Sequence, residues 1–195
     1  MRMRLSMMVG MALLMTAPVA LAQDGAAPKK AAPVDCAIKA MQDDLHEELR
    51  AGAWRAVCVK QGNGCALHLR NDAGYLLQLA HRFDGGQWRV ALTLPEGRRM
   101  DVGAGVALVV DGGEPQRIPP EFLEDRADGR AVAARLEVGD AVMDLLRSGK
   151  RLQWRYTAKG GGEEMAVFDL SCLPGLATAV EKKLARMRAM KQLGK

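Results

Sequence analysis

The sequence predicts an all-β fold, an antiparallel β-sandwich with helices at its margins. Three observations carry this. Short apolar or alternating runs follow one another from residue 54 to residue 171, separated by clusters of Gly, Asn and Asp. Such runs bounded by turn residues read as hairpins, and no strand–helix–strand rhythm of a parallel sheet breaks into them. Four cysteines, an even number, suit a disulfide-stapled domain of an oxidising compartment. With 195 residues, 49% hydrophobic and 26% charged, the chain has the composition of a single globular domain. A collagen, a disordered chain and a multi-span membrane protein are excluded.

Residues 1–22 read as a secretory signal peptide. Arg2 and Arg4 precede the apolar stretch from Met7 to Leu14, and Ala20-Leu21-Ala22 places small residues for cleavage near Ala22. The expected location is therefore periplasmic or secreted. Residues 23–34 are a flexible linker of small residues and Pro. Asp35 is placed to cap a helix over 35–52, with Ile38, Met41, Leu45 and Leu49 at helical spacing and Gly52 as its stop.

A β-sandwich is expected over 53–173. Its strands are Trp54 to Lys60, Cys65 to Arg70, Tyr75 to Phe83, Gln87 to Leu94 and Val106 to Val110. Two further pairs, Glu121 to Arg126 with Arg130 to Leu136 and Lys150 to Ala158 with Glu163 to Ser171, are joined by Gly-containing turns. A short inserted helix covers 139–148, with Val142, Leu145 and Leu146 on one face. Pro174 opens a basic C-terminal helix over 174–195, whose apolar stripe is Leu176, Val180, Leu184 and Met187.

Charge is concentrated at the ends. The net charge of +5 drops to +3 without Arg2 and Arg4. Residues 181–195 hold six cations against Glu181, a net +5, so residues 23–180 carry −2. The basic balance therefore does not indicate a nucleic-acid surface. Lys182, Lys183, Arg186 and Lys191 are the candidate contact residues for an acidic partner or an anionic membrane. The plainer expectation is a helix docked on the sandwich, since the stripe lacks aromatic anchors.

The cysteines can be paired by geometry. A four-residue loop at 60–63 would set Cys58 opposite Cys65, close enough for a bridge. Cys36 is then left with Cys172, a staple from the N-terminal segment to the end of the last strand. Its long loop gives it an effect on the order of 4–5 kcal/mol in the chain-entropy model.

The chain shows no nucleophile elbow, HExxH or P-loop. His46, His68 and His81 have no zinc-ligand spacing and read as surface or structural residues. With a turn at 71–74, residue 70 would face 75 and 68 would face 77. Trp54, Trp88 and Trp154 fall on strands and read as core. Glu163-Glu164 read as acids that keep a glycine turn solvated. No catalytic, cofactor or metal residue is assigned.

Several segments, in order, resemble the invasion-associated locus B family of secreted bacterial proteins. They are Trp54-Arg55-Ala56-Val57-Cys58 followed by Cys65; Trp88 to Pro95; Gly105 to Gly113, ending Val-Asp-Gly-Gly; Leu145 to Leu152; and Asp169-Leu170-Ser171 with Gly175-Leu176. The resemblance covers about residues 54–180. It implies an immunoglobulin-like sandwich in the periplasm or cell envelope. It brings no established enzymatic activity with it and, for some members, implies a role in host-cell entry. The expected function is thus a non-enzymatic interaction protein with an unidentified protein partner and no cofactor. The alternatives are a small-ligand carrier or enzyme with a cleft in the sandwich, and a peripheral membrane protein acting through the C-terminal helix.

Overall fold

The computed structural model describes residues 34–42, 46–59, 64–82 and 86–193. The signal peptide expected at 1–22 and all but the last residue of the expected linker lie outside them. The chain forms two antiparallel sheets and two helices, the all-β sandwich that the strand rhythm predicts.

The first sheet begins where a helix was expected. Residues 35–52 form β1 (Lys39–Gln42) and β2 (His46–Ala51) instead. Asp35 does act as a local cap, accepting a hydrogen bond from Ala37 N, but no helix follows. Two tertiary constraints override the helical spacing. Cys36 is bonded to Cys172, and β2 pairs along its whole length with β3 (Trp54–Val59), from His46 opposite Val59 to Ala51 opposite Trp54. In strand form Leu49 and Ala51 point into the core while Arg50 points out.

From β3 the sheet continues as a meander through β4 (Gly64–Arg70), β5 (Leu76–Arg82) and β6 (Trp88–Thr93). The β4–β5 register is Arg70 to Leu76 and His68 to Gln78, one residue away from the expected one. The connection is longer than foreseen because Asn71 closes it: its Oδ1 accepts from Tyr75 N, and its backbone N–H donates to Tyr75 O. β9 (Leu123–Arg126) and β10 (Ala131–Ala134) complete the sheet in the order β1-β2-β3-β4-β5-β6-β10-β9. The second sheet runs β12 (Glu163–Asp169), β11 (Arg151–Thr157), β7 (Val106–Val110), β8 (Gln116–Ile118). Six consecutive strands in one meander is a simpler connection pattern than a Greek key.

Both sheets turn apolar faces inward, and Trp54, Trp88 and Trp154 are all buried there. Polar links tie the sheets along β12. Trp54 Nε1 donates to Asp169 O at 3.1 Å and Asn71 Nδ2 to Val167 O at 3.0 Å, so outward carbonyls of this edge strand are occupied.

Helix α1 (Leu136–Arg147) buries Gly139, Val142, Met143 and Leu146. Asp140 on it accepts from Trp88 N, fixing the helix to the start of β6. Helix α2 (Leu173–Leu193) packs over β2, β3 and β4 and buries Leu173, Leu176, Ala177, Val180 and Leu184. Each such leucine or valine contributes roughly 1.5–3 kcal/mol relative to exposure. The docked arrangement of the C-terminal helix is therefore the one that forms.

Candidate functional site

The expected contact residues lie beside an open groove. Helix α2 crosses β2 to β4, and all four residues of the terminal strand β1 are exposed. A cavity of about 460 Å³ lies beside α2, lined by Ile38 just before β1, by Glu47 and Leu49 of β2, and by Ala179, Lys182, Lys183, Arg186, Met187 and Met190 of α2. Leu49 is nearly buried, whereas Ile38 is 43% and Met190 65% exposed.

The charges around the groove are unevenly matched. Lys183 pairs with Glu47 across it. Glu181, one residue before Lys182, is turned away toward Trp88 Nε1 and Arg147. Lys182 and Arg186 are exposed, and among the described residues neither has an acidic partner. The Lys191 side chain lies outside the described residues. The sequence marked the cations. It did not mark Ile38 or Leu49 as their neighbours, because both were read on a helix. Met190 was also missed, since it falls off the stripe that ends at Met187.

Both expected disulfides form. Cys58 stands opposite Cys65 with Cα atoms 4.2 Å apart, and Cys36 joins Cys172 with Cα atoms 5.1 Å apart. The first pins the β3–β4 hairpin. The second holds the segment leading into β1 against the start of α2, and so fixes one end of the groove.

The histidines occupy three separate settings. His46 starts β2 and lines a shallow cavity with Met41, Gln42, Glu48, Arg55 and Val57. His68 is half-buried on the outer sheet face, 3.4 Å from Gln78 Nε2. Its desolvation, helped by the nearby Arg55 charge, holds its pKa below the ordinary histidine value. His81 is buried edge-on against Trp88, with ring centroids 4.8 Å apart. Among the described residues no group of His, Cys, Asp or Glu is arranged to hold a metal ion.

A hydrogen-bonded chain between the sheets was not foreseen. Tyr75 OH and Tyr156 OH are 3.0 Å apart, Tyr156 OH donates to Glu164 Oε2 at 2.5 Å, and Arg98 Nη1 donates to the same oxygen at 2.5 Å. Arg98 also lies over the Tyr75 ring. The Tyr156 hydroxyl, desolvated and bonded to Glu164, is held well above the ordinary tyrosine pKa. The Glu164 carboxylate, bonded first by Tyr156 and then by Arg98, is held below its usual value although burial opposes this. Glu164 is therefore a structural acceptor rather than a solvating acid of the turn; Glu163 keeps the exposed position.

Two of the segments carrying the family resemblance meet in space. Asp111, at φ 51°, turns its carboxylate onto Lys150 N and Arg151 N at the start of β11. Gly149 is required there, since a Cβ would approach Val110 Cγ1 to 2.1 Å. The Val-Asp-Gly-Gly and Ser-Gly-Lys segments thus form one joint between β7 and β11. No family model, curated protein or solved structure matches the chain.

Proposed function

We propose that this chain is a non-enzymatic binding module, secreted into the periplasm or beyond, which acts through the groove between the β1–β2 hairpin and α2. The observation that carries this is the groove itself. It joins exposed Ile38 and Met190 to the unmatched cations Lys182 and Arg186, and exposed apolar surface beside charge is the usual mark of an interaction site. Two disulfides agree with an oxidising compartment, and no helix among the described residues is long and apolar enough to cross a membrane. In the Tyr75–Tyr156–Glu164–Arg98 chain each side chain is hydrogen-bonded to the next, as in a joint between sheets. The likeness to invasion-associated locus B proteins supplies the setting, host-cell entry or another envelope role.

Site-specific photo-crosslinking in cells tests this. A crosslinker at Ile38 or Met190 is expected to give a discrete adduct, and one at Met165, exposed on the other sheet, is not. The adduct should vanish in a K182E/R186E chain. Equal adducts from all three positions, or none from the groove, would overturn the reading. Alkylation of the cell-derived protein without reductant checks the compartment: four modified thiols would remove secretion from the proposal.

A further inference from the structure

We infer that the occupant of this groove is an acidic amphipathic segment of a partner protein, laid along α2 against β2 and the segment that enters β1; this rests on the groove being the working surface.

The charge pattern selects the sign. Among the described residues, Glu47 in the groove and Glu181 beside it are engaged by Lys183 and by Arg147 with Trp88. Lys182 and Arg186 are left facing solvent on consecutive turns of α2. A partner carboxylate gains both cations, whereas a basic partner meets them as like charges. A second copy docking by the same face would bring Lys182 and Arg186 against their own counterparts, so a homodimer through this groove is disfavoured.

The apolar pattern selects an amphipathic segment over a free anion. Ile38, Leu49, Met187 and Met190 line the groove together with the cations. Thioether side chains are flexible and polarizable, and methionine-rich surfaces adapt to the apolar ridge of a bound peptide. The backbone geometry leaves room for it. β1 is the terminal strand, and all four of its residues are exposed.

A lipid surface is the weaker fit. The stripe of α2 that would enter a bilayer, Leu176, Val180 and Leu184, is already buried against β2 to β4. The groove also carries no aromatic anchor of the kind interfacial helices use.

The test uses the full disulfide-bonded chain and two labelled helical peptides, each with a leucine stripe. One is flanked by Glu and the other by Lys. By fluorescence anisotropy the Glu peptide should bind on the order of tenfold more tightly, with affinity falling as salt rises. K182E/R186E should reverse the preference with circular dichroism unchanged, and Met190→Ser should weaken the Glu peptide severalfold. No preference between the peptides, or a preference for Lys, overturns the inference. So does sedimentation with phosphatidylglycerol vesicles in place of peptide binding, or a concentration-dependent dimer that K182E/R186E disperses. If crosslinking from Ile38 and Met190 succeeds while the peptides show no preference, the groove stands and only the acidic class falls. If both fail, both readings fall.

Discussion

A methyl group at Gly139 would sit 1.9 Å from the Trp88 carbonyl oxygen, so α1 meets β6 at a distance that only glycine allows. Gly139→Ala must push the helix off the sheet, an overpacking cost of about 2–3 kcal/mol. For a chain of this size the melting temperature should fall by roughly 5–10 °C. Gly175, inside α2, has open space at its Cβ position. Gly175→Ala should therefore stabilise by about 0.5–1 kcal/mol through helix propensity. Calorimetry of the two variants separates close approach from conformational freedom; a destabilised Gly175→Ala would contradict the account of α2. Glu164 offers a pH test of the same kind. Its folded pKa lies below the ordinary value of 4.5, because Tyr156 and then Arg98 donate to it. A depressed carboxylate stabilises the fold fully above its unfolded pKa, and that contribution is lost as pH falls through the folded value. Native protein should thus lose melting temperature more steeply below about pH 4.5 than Glu164→Gln. Parallel profiles would show that the charge of Glu164 contributes nothing.

At the scale of elements, the two disulfides divide the labour unequally. Cys36–Cys172 spans 136 residues and Cys58–Cys65 spans seven. In the chain-entropy model these correspond to about 5 and about 2 kcal/mol. C36S/C172S should lower the denaturation midpoint more than C58S/C65S, and chemical denaturation followed by tryptophan fluorescence measures both. Equal losses would mean that the long bridge joins segments already held by β2–β3 pairing. The same bridge explains what the sequence made legible. Cys58 and Cys65 could be paired because a glycine turn sets their register locally, and β9–β10 and β11–β12 were readable for the same reason. Residues 35–52 were not. Ile38, Met41, Leu45 and Leu49 satisfy a helical period, and nothing local reveals that β3 offers a pairing edge. The site followed suit: Lys182, Lys183 and Arg186 were visible as a basic face, while Ile38 and Leu49 line the groove because a β1–β2 hairpin forms where their spacing suggested a helix. β8 escaped notice because it has three residues and takes its register from β7.

Across the whole molecule, α2 serves two purposes at its two ends. Its first turns pack over β2, β3 and β4, with Leu173, Leu176, Ala177, Val180 and Leu184 all buried. Its last turns project past them, Met187 half-buried and Met190 exposed. Glu181 marks the passage, tying α2 to α1 through Arg147 and to β6 through Trp88. The fold should therefore be sensitive to α2 up to Leu184 and indifferent to it beyond Arg188. Val180→Asp buries a carboxylate in the apolar core and should prevent cooperative folding. A chain ending at Arg188 should melt within about 2 °C of the full chain, since the described side chains it loses, Ala189, Met190 and Gln192, are all exposed. It nonetheless lacks Met190, and with it part of the groove wall. Its expected phenotype is native melting with weakened binding of the Glu-flanked peptide. Lost stability would place residues 189–195 in the fold, and unchanged binding would place the working surface away from the end of α2.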